Sequence, residues 1–196
     1  GKINDVGAAV QTNVNDSYRA GIEVQAGLRI AKSLTWDMNA TFSQNKIKDF
    51  ISYVDNWDYW GDPPAGPLQY IDTLGTTDIS FSPSFTAASI IDYEAWKDFH
   101  ISLVSNYVGK QYIDNTSSDE RSLDPYFIND VRLMYTLKTR FIREITLQLQ
   151  VNNIFSVEYE TNAWVYRYVE NGQEEVLDGY FPQAPINYFV GIGLKF

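Results

Sequence analysis

The sequence predicts an all-β chain, an antiparallel meander of about seven amphipathic strands. Three observations carry this. Apolar and polar residues alternate with period two in one segment after another. Short links alternate with long loops along the chain. Acidic residues collect in the long loops, whereas basic residues collect at the short links.

In chain order, Tyr18, Ala20, Ile22, Val24, Ala26, Leu28 and Ile30 alternate with Arg19, Glu23, Gln25 and Arg29. Leu34, Trp36, Met38, Ala40 and Phe42 alternate with Thr35, Asp37, Asn39, Thr41 and Ser43. A weaker strand covers residues 79–93, with Phe85, Ala87, Ile91 and Tyr93 on one face. Phe99, Ile101, Leu103 and Tyr107 alternate with His100, Ser102 and Asn106. Phe127, Val131, Leu133, Tyr135 and Leu137 oppose Asp130, Arg132 and Thr136. Ile145, Leu147, Leu149 and Val151 alternate with Thr146, Gln148, Gln150 and Asn152. In the last ten residues, Tyr188, Val190, Ile192, Leu194 and Phe196 share one face, and two glycines and a lysine lie on the other.

Alternation alone fits any antiparallel sheet with one wet side. The connections narrow it. Residues 31–33, 96–98 and 138–143 are short links, whereas 50–77, 111–124 and 155–185 are long. More than half of the 25 acidic residues fall in the long stretches. The short-link end carries Arg29, Lys32, Lys97, Lys138, Arg140, Arg143 and Lys195. Outward rings mark both strand ends, with Tyr18, Tyr107 and Tyr188 at the loop end and Trp36, Phe99 and Phe196 at the turn end. Sorted loops and two ring girdles are the pattern of a transmembrane β-barrel. The chain therefore reads as transmembrane β-barrel strands of the outer-membrane kind.

Composition removes other classes. The chain has no cysteine and a single histidine, His100, so neither a disulfide framework nor a Cys/His metal site is expected. No apolar run approaches the roughly 18 residues a spanning helix needs. A formal net charge of −10 argues against nucleic-acid binding, which needs clustered cations. No Ser-His-Asp set and no phosphate loop is present. Asp92 and Glu94 face the same side, but nothing else supports acid–base chemistry, so no catalytic residue and no cofactor is expected. The opening Gly1-Lys2-Ile3-Asn4-Asp5 is no signal peptide and reads as an arbitrary boundary.

Several motifs together resemble TonB-dependent outer-membrane receptors, especially those of Bacteroidetes type. They are the run from Asn13 through Asn15 and Tyr18 to Glu23, the run from Leu34 to Ile47, and the run from Tyr107 to Tyr112. Val151-Asn152-Asn153-Ile154-Phe155 with Tyr159 is similar to the family's penultimate-strand motif, and residues 180–185 to its C-terminal signature. The family's barrels have about 22 strands around a plug. The resemblance thus implies that residues 1–196 are the C-terminal barrel segment, with the plug and the N-terminal strands absent. It also implies TonB-coupled uptake of a scarce nutrient, an iron chelate or vitamin rather than a glycan. Gly191, Leu194 and Phe196 resemble the signal read by the barrel-assembly machinery, although Phe189 stands where that pattern prefers a polar residue. A C-terminal strand needs apolar outward residues in any case.

Two loop clusters are candidate ligand contacts. Trp57, Tyr59 and Trp60 stand among Asp55, Asp58 and Asp62, where they either meet a ligand or form a ring cluster that orders the loop. Trp164, Tyr166 and Arg167 form the second, either meeting an anionic ligand or continuing a strand above the membrane. Lumen-side Arg19, Glu23, Arg29, Asp37, Asp130 and Arg132 either guide substrate or face a plug. The rival reading is a soluble β-sandwich or β-barrel ligand-binding module, for example a carbohydrate-binding one, with its apolar face buried. A membrane segment instead leaves two sheet edges and a lipid-contacting face uncovered, which predicts self-association or closure into a smaller barrel.

Overall fold

The computed structural model describes residues 1–4, 8–11, 13–14 and 16–196. Asp5 of the opening segment and Asn15 of the first motif lie outside the described residues. The strands are β1 (Ser17–Ala31), β2 (Leu34–Asn56), β3 (Gln69–Asp78), β4 (Phe85–Trp96), β5 (Phe99–Val108), β6 (Gln111–Tyr112) and β7 (Ser122–Leu123). They continue with β8 (Tyr126–Lys138), β9 (Glu144–Asn152), β10 (Glu160–Glu170), β11 (Gln173–Pro182) and β12 (Asn187–Lys195).

One curled antiparallel sheet runs β1, β2, β4, β5, β8, β9, β12. β3 and β4 form a single lane along β2, opposite β1, interrupted over residues 79–84. This lane is the weak strand of the sequence, and its lower part supplies the predicted alternation. The long loops are not structureless. β2 climbs to Asn56 and returns as β3, residues 111–123 make the small hairpin β6–β7, and residues 160–182 make the hairpin β10–β11. Each extends the alternation beyond the end of the apolar belt.

The outward rows are continuous across the sheet. Trp36, Ile91, Leu103, Val131, Val151 and Tyr188 are successive register partners. Among the described residues nothing covers this face: Ile22 is 69% exposed and Ile192 68% exposed. The outward run of β1 from Tyr18 to Ile30, tilted as barrel strands are, spans about 30 Å, the depth of a bilayer's hydrocarbon. Ring contacts edge the belt. Trp96 lies 4.0 Å from Phe99 and Phe99 6.0 Å from Tyr135 at the turn end; Phe42 lies 4.7 Å from Phe85 and Phe85 5.5 Å from Tyr107 at the loop end. Trp36 satisfies its indole N–H by donating to Ser89 Oγ at 2.9 Å.

These facts disfavour the sandwich, which requires a second sheet over the apolar face; among the described residues none packs there. Closure into a smaller barrel is also corrected: β1 and β12 each pair on one side only. Small barrels turn their corners with bulges and glycine kinks. Here the bulges sit at strand ends (Arg29/Ala31, Glu94/Trp96) or above the belt, leaving the curl too gentle to bring the two edges together.

The inner face is polar and internally paired. Asp92 accepts from Ser102 Oγ at 2.7 Å and pairs with His100 Nδ1 at 2.8 Å, and Glu94 accepts the Asp98 N–H at 3.3 Å. Both carboxylates thus serve the sheet and its turn. Arg19 donates to Asn45 and Arg132 to Gln150, both at 3.3 Å. The buried apolar residues, Ile47, Val54, Ile113, Leu123, Ala163, Tyr168 and Val169, lie at or above the loop end. The core of this molecule is therefore in its loops, not under its sheet.

Candidate functional site

β1 accompanies β2 only as far as Ile47, so the upper edge of β2 is free to accept another strand. β10 fills it in parallel, with Tyr168 opposite Asp55 and Val169 opposite Asn56. The hairpin β10–β11 leaves from β9, so it reaches back over three intervening lanes to touch β2. It forms a brace across the mouth of the curled sheet.

Side chains fasten the brace. Trp57 stacks on Tyr168, centroids 3.9 Å apart and planes 24° apart. Its indole N–H donates to Tyr166 Oη at 3.2 Å, and Tyr166 Oη donates to Asp55 Oδ2 at 2.7 Å. Gln69 Nε2 donates to the other Asp55 oxygen at 2.6 Å. Burial, then the bond to Asp55, holds the Tyr166 phenol above its ordinary range. Arg167 donates to Ser52 Oγ at 2.9 Å and to Glu174 Oε1 at 2.6 Å. Both oxygens of Asp58 accept backbone N–H groups at 2.8 Å from Asn171 and Gly172, the hairpin tip.

Asn56 orders the loop that carries Trp57. It is 1% exposed. Its Nδ2 donates to Ala65 O at 2.8 Å and Pro67 O at 2.6 Å, while Oδ1 accepts the Asp58 N–H at 3.2 Å and caps the turn Trp57–Trp60. Gly66, at φ 73°, passes where a Cβ would lie 2.9 Å from Asn56 Nδ2.

The candidate residues therefore divide. Trp57, Tyr166 and Arg167 come together in the brace, with their polar atoms engaged. Tyr59 and Trp60 stand edge to face at 5.1 Å on the loop apex, and Trp60 is 63% exposed. Trp164 stands apart, half-exposed, over Gly179, where a Cβ would collide with its indole nitrogen. At the chain end, Gly191 lies on the inner face opposite Gln148, and Leu194 and Phe196 lie outward. Phe189 also faces inward, opposite Gln150, its ring against Gly191.

A cleft of about 840 Å³ opens beside the brace, walled by Ser52, Asp55, Asn115, Thr116, Tyr166 and Arg167. Val14, Phe50, Ile51 and Val165 line it as well, so apolar and polar surface meet in the cleft. Among the described residues no group of acids and histidines is placed to hold a metal ion. Sequence reasoning assigned no role of its own to Asn56, Ser52 or Asn153. The signal for Asn56 was the short Asn-x-Asp spacing that caps a turn. Asn153, at φ 48° and 3% exposed, both donates to Val157 O at 2.9 Å and accepts the Val157 N–H at 2.9 Å, closing the β9–β10 turn.

A family model described as TonB dependent receptor-like, β-barrel, matches residues 2–154. Among solved structures, the ferric yersiniabactin uptake receptor FyuA from Yersinia pestis is similar with a TM-score of 0.54 at 18% identity, covering 89% of this chain and 22% of that one. The siderophore receptor PiuA from Acinetobacter baumannii gives 0.58 at 16% identity, covering 85% and 22%. The ferric-catecholate import receptor Fiu from E. coli K12 gives 0.53 at 18%, covering 95% and 22%. At these identities the likeness concerns the fold. The chain spans about a fifth of the length of these receptors. No curated protein sequence matches it.

Proposed function

This chain belongs to the TonB-dependent receptor β-barrel family, a family of outer-membrane receptors and not of enzymes, and from that premise we propose that it is the C-terminal barrel segment of a receptor for TonB-coupled uptake of an iron chelate. The observation that carries the reading is the family match over residues 2–154, laid on a sheet with one bare apolar face and one polar face. The similar solved structures are siderophore and ferric-chelate receptors, which favours that cargo class over a vitamin or a glycan. The plug and the remaining strands lie in other parts of the polypeptide, and the TonB contact lies there as well. The motifs named above favour a Bacteroidetes-type member.

In this reading outer-membrane lipid covers the belt, and the long-loop end faces outward from the cell. Tyr59, Trp60 and Trp164 meet cargo as exposed rings, while Trp57, Tyr166 and Arg167 hold the brace that shapes the cleft beside them. Gly191, Leu194 and Phe196 present the last strand to the barrel-assembly machinery. Taken alone, the segment self-associates through its two free edges and its bare belt.

The test is uptake of ⁵⁵Fe-loaded siderophores by cells that depend on the full-length receptor. Iron accumulation that vanishes when TonB is removed supports the proposal. Growth restored by vitamin B12, with no iron uptake, moves the cargo to the vitamin class. Uptake indifferent to TonB overturns the reading.

A further inference from the structure

The turn between β8 and β9, residues 139–143, reads Thr-Arg-Phe-Ile-Arg and lies at the short-link end. Thr139 staples it: Oγ1 accepts the Ile142 N–H at 3.0 Å and donates to the Ile142 carbonyl. The closed turn points Phe141 into the open. At 94% exposed it is the barest large hydrophobic residue of the described chain. A single exposed apolar side chain needs no explanation, but this one has a setting. At the same end, Trp96, Phe99 and Tyr135 form a run of ring contacts along the rim of the belt. Phe196, 86% exposed, follows Lys195, which pairs with Glu144, and so reaches the position opposite Arg143. Phe141 continues the rim just beyond the strand ends.

Its neighbours are cationic. Arg140 and Arg143 flank it, and Lys138 precedes the turn. Lys195 is neutralised by Glu144 at 3.0 Å, whereas Arg140 and Arg143 form no ion pair among the described residues. The opposite end of the sheet is acidic, so this excess of positive charge belongs to one side of the membrane. A ring at the acyl boundary beside guanidinium groups at headgroup height is the arrangement that holds an anionic phospholipid: the ring enters the apolar layer and the planar donors meet phosphate oxygens.

We infer that the turn 139–143 is a membrane-interface anchor that recognises anionic phospholipid, with Phe141 in the acyl boundary and Arg140 and Arg143 on the phosphate. The inference rests on the membrane-barrel reading. The chain has no cysteine, so Phe141→Cys gives one labelling site, and a bimane ring attached there stands in for the phenyl group. Ile22→Cys, in the middle of the outward face, is the control. Each labelled chain, carried within the full-length receptor with any cysteine outside this segment replaced, is reconstituted in vesicles of phosphatidylcholine with phosphatidylglycerol, one of the two carrying bromine on its acyl chains as a quencher. Basic side chains near an anionic surface are worth about 1 kcal/mol each, so two arginines enrich phosphatidylglycerol at the label by up to roughly thirtyfold over phosphatidylcholine. Arg140→Gln with Arg143→Gln should erase that preference and leave quenching itself.

Equal quenching by both lipids in the parent chain overturns the recognition. No quenching at 141 with strong quenching at 22 places the turn in water and overturns the anchor alone, leaving the barrel reading intact. No quenching at either position overturns the membrane reading and the anchor with it.

Discussion

Replacing Trp57 with alanine should free the brace without unfolding the sheet. Trp57 is 42% exposed, so somewhat more than half of an indole of roughly 250 Å² is covered by the hairpin. That area corresponds to about 3.5 kcal/mol at 25 cal/mol per Å², an upper value because the detached loop also buries part of it. Stacking on Tyr168 adds about 1 kcal/mol beyond area. The exposed bond to Tyr166 Oη adds little. A loss near 3 kcal/mol lowers protection of amides in β10 and β11 by roughly a hundredfold in hydrogen exchange. Amides of β5, β8 and β9 should keep their protection, since none of their ladders involves Trp57. Unchanged exchange in residues 160–182, or an equal loss throughout the sheet, would refute the brace.

Four further outcomes follow from the same geometry. Val24→Arg, on the bare face, should destabilise the bilayer-inserted chain by about 2–4 kcal/mol in urea unfolding, whereas Gln25→Arg on the inner face should cost almost nothing. Asn56→Ala leaves two carbonyls and the Asp58 amide without their partner and should cost about 1–3 kcal/mol locally, seen as faster proteolysis within residues 57–68 while the belt stays resistant. Lys110 Nζ, 2.5 Å from Asp119, holds that carboxyl below its ordinary range. A lowered folded value means that this contact contributes fully above about pH 4 and is lost as pH falls through the folded value, so amides of residues 113–121 should exchange faster, after correction for intrinsic rates, at pH 3 than at pH 6. Light scattering after size exclusion should show the chain as a defined species only with detergent, and a compact monomer indifferent to detergent would contradict the bare belt.

Part of this molecule is a property of single strands and was legible without coordinates. Period-two alternation requires only that successive side chains point to opposite faces, so Ile22, Val24 and Ala26 declare an apolar side whatever lies beside them. The sorting of short links from long loops, and of Lys and Arg from Asp and Glu, is likewise written along the chain. Trp164, Tyr166 and Tyr168 also showed a strand's alternation.

Partners at long separation were not legible. Tyr166 and Asp55 are 111 residues apart, and no local pattern makes one donate to the other. Nor does local pattern reveal that β10 docks in parallel on the edge β1 leaves vacant above Ile47. Asn56 and Asn153 look like ordinary loop residues until their amides are seen to close backbone turns. The sequence alone determined which face of each strand is apolar, because that depends on backbone geometry. Only the tertiary structure decided that the sheet stays open and that a hairpin from β9 spans its mouth, because curvature and long-range docking arise from all the lanes together.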